Sequence, residues 1–283
     1  MIRPDVVDLT VKIALREDVG QKDITTSSII PHNLHIKADI EAKENGILCG
    51  IEAAEKVFRY VDENLRFLPV AKDGEEIEKG REIAYIEGEA SSILIAERTA
   101  LNFLGHLSGI ATLTKVFVDT VRGTKARIMD TRKTIPNMRY LEKYAVASGG
   151  GVNHRTGLYD QVLIKDNHLR ILRQRSIPDI VEDARRAVLK KTIIGIEVKN
   201  LKELTEALKT SANYILLDNM TVATVKEAVA LRNKTAPKTE LEVSGGINLA
   251  TVRAYAETGV ERISIGALTH SAPSLDISLD IVG

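Results

Sequence analysis

The chain carries two hydrophobic rhythms, and one gives way to the other near residue 110. Residues 34–50 (LHIKADIEAKENGILCG) alternate apolar and polar positions as a half-buried strand does, with Gly46 placed for a turn. Residues 65–90 (LRFLPVAKDGEEIEKGREIAYIEGEA) predict short strands joined by turns at Asp73-Gly74 and Lys79-Gly80. Residues 91–121 then repeat apolar positions at helical spacing over many turns, which predicts one long helix. This first rhythm describes a mixed α/β domain over residues 1–110.

Past that helix, short β-branched runs alternate with amphipathic stretches. The runs are Ile128-Met129, QVLIK (161–165), TIIGIEV (192–198), NYILLD (213–218), ELEVSGG (240–246) and RISIGA (262–267). Between the later ones lie helical patterns such as LKELTEALKTS (201–211), TVATVKEAVALRN (221–233) and NLATVRAYAETG (248–259). Such alternation predicts a parallel sheet with crossover helices, assigned to a second domain at residues 111–269. A full eight-unit barrel needs about 250 residues, so a shortened or open barrel and a doubly wound sheet both fit.

The strand ends favour the barrel. They finish in Asp130/Arg132/Lys133, Lys165/Asp166/Asn167/His168, Glu197/Lys199, Asp218/Asn219, Ser244/Gly245/Gly246 and Gly266. In a parallel α/β protein these ends share one face, and barrel active sites are built there. SGGIN (244–248) ahead of a helical pattern offers backbone N–H groups to an anion at a helix start, and Gly266 follows the next strand. Glycines in two consecutive late βα loops fit a phosphate site. Glu197 and Asp218 suit either a salt bridge to a neighbouring lysine or contact with Mg²⁺ and sugar hydroxyls. Between residues 127 and 168 there are seven Lys or Arg and four Asp or Glu, with His154 and His168 beside them. Several cations in one cleft are costly without an anionic ligand, although Arg139 and Lys143 could simply line a solvated helix face. The residues alone thus describe an α/β enzyme for a phosphorylated sugar and a second, anionic partner.

Composition narrows this further. Lys plus Arg is 39 and Asp plus Glu is 39 over 283 residues, so functional charge is local and a general nucleic-acid binder is disfavoured. Cys49 is the single cysteine, which rules out an internal disulfide and suits a reducing cytoplasm. The first residues, MIRPDVVDLT, lack the apolar core of a signal peptide, and no apolar run is expected to span a membrane.

The stretch DTRKTIPNMRYLEKYAVASGGGVNHRTGLYDQVLIKDNHL (130–169) closely resembles quinolinate phosphoribosyltransferase (decarboxylating), or nicotinate-nucleotide pyrophosphorylase. So do EDVGQKDIT, AERTALNFLGHLSGIAT, IEVKNLKEL, ILLDNM and LEVSGGI, in collinear order over almost the whole chain. Two departures are Lys22 and Asn137, where the family often has glycine. The resemblance implies an open-faced α/β sandwich followed by an incomplete, six- or seven-stranded α/β barrel, with residues 270–283 returning to the first domain. It implies that quinolinate and phosphoribosyl pyrophosphate give nicotinate mononucleotide, pyrophosphate and carbon dioxide, with Mg²⁺, in NAD biosynthesis. It also implies at least a homodimer, with sites shared between subunits; the charge balance and apolar pattern above add the expectation of no nucleic-acid and no membrane partner. Quinolinate would meet Thr131, Arg132, His154, Arg155 and Lys165, joined by Arg98 of a second copy. Lys133, Glu197 and Asp218 would be catalytic and would meet phosphoribosyl pyrophosphate, the two acids also serving the metal. Ser244, Gly245, Gly246, Ile265, Gly266 and Ala267 would hold its 5′-phosphate. A nicotinate-specific enzyme, or a paralogue for another heterocyclic acid, would share these motifs.

Overall fold

The structure, a computed structural model, describes residues 4–282; residues 1–3 and 283, which the sequence division gives to the first domain, lie outside it. In chain order the first elements are α1 (Pro4–Val19), α2 (Thr26–Ile29), β1 (His35–Ala42), β2 (Gly46–Ile47), α3 (Ile51–Val61), β3 (Arg66–Pro69), β4 (Glu76–Ile77), β5 (Glu82–Glu89) and α4 (Ala90–Thr120). Then come β6 (Arg127–Met129), α5 (Arg139–Ser148), β7 (Val162–Ile164), α6 (Asp166–Ile171), α7 (Ile177–Ala187), β8 (Ile194–Val198) and α8 (Leu201–Ala207). The last are β9 (Tyr214–Asp218), α9 (Val222–Thr235), β10 (Glu240–Ser244), α10 (Val252–Ala256), β11 (Arg262–Ser264), α11 (Ala267–His270) and β12 (Ile277–Val282). Two compact units emerge: one holds the described residues up to Lys115, Thr134–Gly150 and those from Ala267 on; the other holds Val116–Lys133 and Gly151–Gly266.

The first unit is built on an antiparallel sheet ordered β12-β1-β5-β3, with β2 and β4 paired separately. The C-terminal strand is an edge of that sheet, Lys37 facing Val282 and Ala42 facing Ile277. The turns expected at Asp73-Gly74 and Lys79-Gly80 form, both glycines taking positive φ. By length and composition α4 suffices to cross a membrane, contrary to the expectation from sequence. However, 61% of its most apolar stretch is buried inside the structure, as in a core helix.

Residues 134–150 differ from the sequence division, which placed them in the barrel. Their polar groups find partners in the first unit. Glu142, fully buried on α5, lies 3.0 Å from His106 Nε2 and accepts the Ile135 N–H at 3.2 Å. Lys143 is buried as well, not on a solvated face. The Tyr144 hydroxyl donates at 2.9 Å to Asp73, whose other oxygen accepts the Gly50 and Ile51 N–H groups at the start of α3. Burial raises the Asp73 carboxyl above its ordinary value, against those three hydrogen bonds. Tyr144→Phe leaves one carboxylate oxygen without this donor. Urea unfolding of this variant is expected to show a loss of about 1.5 kcal/mol.

The second unit is a parallel sheet ordered β6-β11-β10-β9-β8-β7. β8 and β11 are buried at every residue and β9 and β10 nearly so, as strands covered on both faces must be. Val152 forms a single bridge to Met129 on the free side of β6. The sheet is thus six strands plus one bridge, open between that bridge and β7. Asn200 and Thr221 cap α8 and α9, accepting the Glu203 and Thr224 N–H groups and so ending the loops after β8 and β9.

Candidate active site

Residues at the C-terminal ends of all six strands line one cavity of about 550 Å³. That convergence requires a sheet curled on itself, as the incomplete barrel predicts. Thr131, Arg132 and Lys133 come from β6, Ser264 from β11, and Glu242, Ser244, Gly245 and Gly246 from β10. Leu216, Asp218 and Asn219 come from β9, Glu197 from β8, and Leu163 and Lys165 from β7. His154 and Arg155 enter just after the Val152 bridge.

Strand order sorts the rim by charge. Lys165 just past β7 and Arg132, Lys133 and Arg155 beside β6 flank the opening of the barrel. The acids stand on β8 and β9, and the glycines on β10. Arg155 Nη1 reaches Gln161 O at 3.4 Å, just ahead of β7. Burial and the nearby Arg132 both lower the Arg155 guanidinium's affinity for its proton. Two cations held this closely favour an anion between them. Glu197 is buried and lies 3.7 Å from Lys165 Nζ. Its carboxyl is raised above the ordinary value by burial first; Lys165 opposes this, while Asp218 and Asp166 add to it. No group of three or more His, Cys, Asp or Glu suited to a metal occurs among the described residues. The donors available are the carboxylates of Glu197 and Asp218, which suits Mg²⁺ held partly by substrate phosphate and water.

The glycine loop differs from expectation. The helix after it, α10, begins only at Val252 and has five residues, so Gly245-Gly246 form a loop and not a helix start. Both take positive φ, +101° and +63°. A Cβ on Gly245 would lie 2.1 Å from Asn219 Oδ1, so glycine lets the β9 and β10 loops touch. Ile265 is buried, its N–H bonded to Met129 O at 2.9 Å, and neither it nor Gly266 nor Ala267 is among the residues lining the cavity. Arg98 is not among them either; it is exposed on α4, 3.9 Å from Glu97. Asn137 has φ +66°, a left-handed backbone that asparagine tolerates.

Beneath the rim lies a polar network that the strand-end reading missed. Glu242, fully buried in mid-strand, accepts from Ser264 Oγ at 2.6 Å and lies 3.3 Å from His154 Nε2. Arg262 Nε is 2.8 Å from the other Glu242 oxygen, close enough for an ion pair, though the N–H is not aligned as a hydrogen bond. The Arg262 guanidinium sits 4.1 Å from the Tyr214 ring centre, and the Tyr214 hydroxyl is 3.3 Å from His154 Nε2. Gly195 makes room for this ring: a Cβ there would meet Tyr214 Cζ at 2.1 Å. A glutamate inside the apolar run ELEVS was the one sequence signal for the network.

Burial raises the Glu242 carboxyl, but His154, Arg262 and Ser264 outweigh it and hold the group below its ordinary 4.5. Its charge therefore contributes stability that is present above pH 4.5 and lost as pH falls through the lowered folded value. Glu242→Gln is expected to unfold in less urea than the unmodified protein at neutral pH. The gap should narrow below that value; a pH-independent gap in urea midpoints would contradict the assignment.

Models of the N- and C-terminal domains of quinolinate phosphoribosyl transferase match residues 23–108 and 110–280. The chain belongs to the quinolinate phosphoribosyltransferase family. Family relatives include the carboxylating nicotinate-nucleotide pyrophosphorylase of Mycobacterium leprae, 42% identical over 96% of each chain. The probable carboxylating nicotinate-nucleotide pyrophosphorylase of Methanocaldococcus jannaschii is 44% identical over 96% of this chain and 95% of its own. The solved nicotinate-nucleotide pyrophosphorylase of Francisella tularensis superposes with a TM-score of 0.94 at 36% identity, covering 100% of this chain and 98% of its own.

Proposed function

We infer that the protein transfers phosphoribosyl from phosphoribosyl pyrophosphate to quinolinate, releasing pyrophosphate and carbon dioxide and leaving nicotinate mononucleotide for NAD synthesis. The observation that carries this reading is the charge order of the rim: four cations, then two acids, then a glycine loop. Quinolinate is a dianion and fits the cations; ribose hydroxyls fit Glu197 and Asp218; the 5′-phosphate fits Ser244, Gly245 and Gly246. The family's relatives carry names for this chemistry, which supports the same assignment.

The ring nitrogen of quinolinate attacks the anomeric carbon as pyrophosphate leaves, and the sugar gains positive character on the way. Arg132, Arg155 and Lys165 hold the two carboxylates, which fixes the nitrogen's line of attack. Glu197 and Asp218 stabilise the positive sugar and orient its hydroxyls. Attack makes the ring a pyridinium, and the 2-carboxylate then departs as carbon dioxide; the electron pair left on C2 is stabilised by the adjacent positive nitrogen until C2 takes a proton from water. Lys133, which is exposed beside the cavity, lies closest to this reacting centre in our assignment. Bound Mg²⁺ would sit on Glu197 and Asp218 and neutralise charge on the departing pyrophosphate.

A homodimer belongs to the same proposal. Arg98 is exposed and is not among the residues lining the cavity, which suits service to a second copy's site. Mixing Arg98→Ala with a Lys133→Ala chain should restore activity above either parent. No gain on mixing would remove Arg98 from the site. A cytoplasmic location is also proposed, on the single cysteine and its consequence for disulfides. The direct test of function is incubation with Mg²⁺, phosphoribosyl pyrophosphate and either quinolinate or nicotinate, followed by mass spectrometry and carbon dioxide release. Nicotinate mononucleotide and carbon dioxide from quinolinate are expected; product from nicotinate alone would overturn the dicarboxylate assignment.

A further inference from the structure

Both ring nitrogens of His154 are engaged inside the protein. Nδ1 accepts the N–H of Arg155 at 2.7 Å, so Nδ1 presents a lone pair and Nε2 carries the hydrogen. Nε2 faces Glu242 Oε1 at 3.3 Å and the Tyr214 hydroxyl at 3.3 Å, with the Tyr214 ring edge-on at 5.7 Å between centres. The His154 backbone is held too, its N–H donating to the fully buried Asp130 carboxylate at 2.8 Å. Glu242 is itself held by Ser264 at the same oxygen and by Arg262 at the other. The chain of contacts runs from Arg262 through Glu242 and the imidazole to the backbone of Arg155, which is buried and lines the cavity.

We propose that His154, which lines the cavity, is a positioning residue for its neighbour: Glu242 fixes its tautomer, and its Nδ1 anchors the backbone from which Arg155 reaches the anionic substrate. This deepens the function proposed above and rests on it for the identity of the anion. The imidazole is suited to the role because it joins an acceptor to a donor across a rigid plane. A side chain held at both ends cannot drift, so the guanidinium on the next residue starts from a fixed backbone.

Two amides separate the roles of the two nitrogens. Asparagine can place its oxygen where Nδ1 stands, whereas glutamine reaches where Nε2 stands. His154→Ala is expected to raise KM for quinolinate about tenfold, with KM for phosphoribosyl pyrophosphate changed less than about twofold. His154→Asn should bring KM for quinolinate back to within about threefold of the unmodified protein, and His154→Gln should not. Rescue by glutamine instead of asparagine would overturn the proposal, since it would place the useful contact at Nε2. So would an unchanged KM in His154→Ala.

A second measurement needs neither substrate nor variant. ¹⁵N-histidine NMR of the unmodified protein should show the His154 ring protonated at Nε2 with an unprotonated Nδ1. Protonation at Nδ1 would overturn the proposal even if every variant failed to fold. Failure of the functional reading is seen separately, as absence of turnover with quinolinate in the unmodified protein; the NMR result then still decides the role of His154.

Discussion

Replacing Lys133 by alanine is expected to lower turnover by about 10²–10³-fold while leaving the unfolding transition in place. The two halves of this expectation have separate causes. Lys133 is exposed on the loop after β6, where its own N–H donates to Thr131 Oγ1 at 3.0 Å, a bond that alanine keeps. Surface substitutions of this kind usually change stability by about 0.5 kcal/mol or less. The cation nevertheless faces the cavity beside Arg132 and Arg155. If those two arginines hold the ground-state dianion, Lys133 acts where charge develops, and its loss appears in kcat. Arg155→Ala should behave oppositely, raising KM for quinolinate more than it lowers kcat. Steady-state kinetics on both variants, with urea midpoints beside them, separates the roles. Near-normal kcat for Lys133→Ala would remove it from the reacting centre.

What could be read from the sequence follows the range of each interaction. The six strands were legible because burial on both faces leaves short β-branched runs, and their polar ends marked the rim. Arg132, Lys133, Lys165, Glu197, Asp218, Ser244, Gly245 and Gly246 all meet in one cavity as expected from those ends, and Arg155, placed there by the resemblance, joins them. Gly266, also a strand end, is not among the residues lining that cavity, nor are Ile265 and Ala267, which the resemblance placed there; Ile265 bonds back to β6 through its backbone.

The layer below the rim was not legible, because it depends on register between strands. Glu242 faces Arg262 across β10 and β11, and Gly195 faces Tyr214 across β8 and β9. In a single sequence Gly195 and Tyr214 pass as members of apolar runs, and only their pairing shows that one exists to house the other. The same limit applies to α5. Its pattern suits a barrel crossover, yet its partners, His106 and Asp73, lie 36 and 71 residues away along the chain. A one-dimensional pattern carries no record of such pairings.

Gly245→Ala is expected to lower kcat/KM for phosphoribosyl pyrophosphate by about 10²-fold. Two costs combine at this position. Its φ of +101° lies in a region that side chains avoid, and holding alanine there costs about 1–3 kcal/mol. The new Cβ also meets Asn219 at Oδ1 and Cγ, 2.1 and 2.6 Å away. Asn219 cannot retreat as a whole, because its own φ is +52° and its N–H is bonded to Ser244 O at 2.9 Å. The Asn219 side chain must turn aside and the strained β10 loop relaxes with it, carrying the backbone groups assigned to the 5′-phosphate, and a displacement near 1 Å is enough for the stated loss. Gly246→Ala is the control. Its φ of +63° is ordinary left-handed backbone and nothing lies within 4 Å of the added carbon, so its effect should be far smaller. Adding Asn219→Ala to Gly245→Ala removes the clash but keeps the backbone strain, and should recover only part of the loss. KM for quinolinate should stay near normal in all three, because the cation cluster lies on other strands. If Gly245→Ala loses quinolinate affinity and phosphoribosyl pyrophosphate affinity equally, the loop is scaffolding for the whole rim and the phosphate belongs elsewhere.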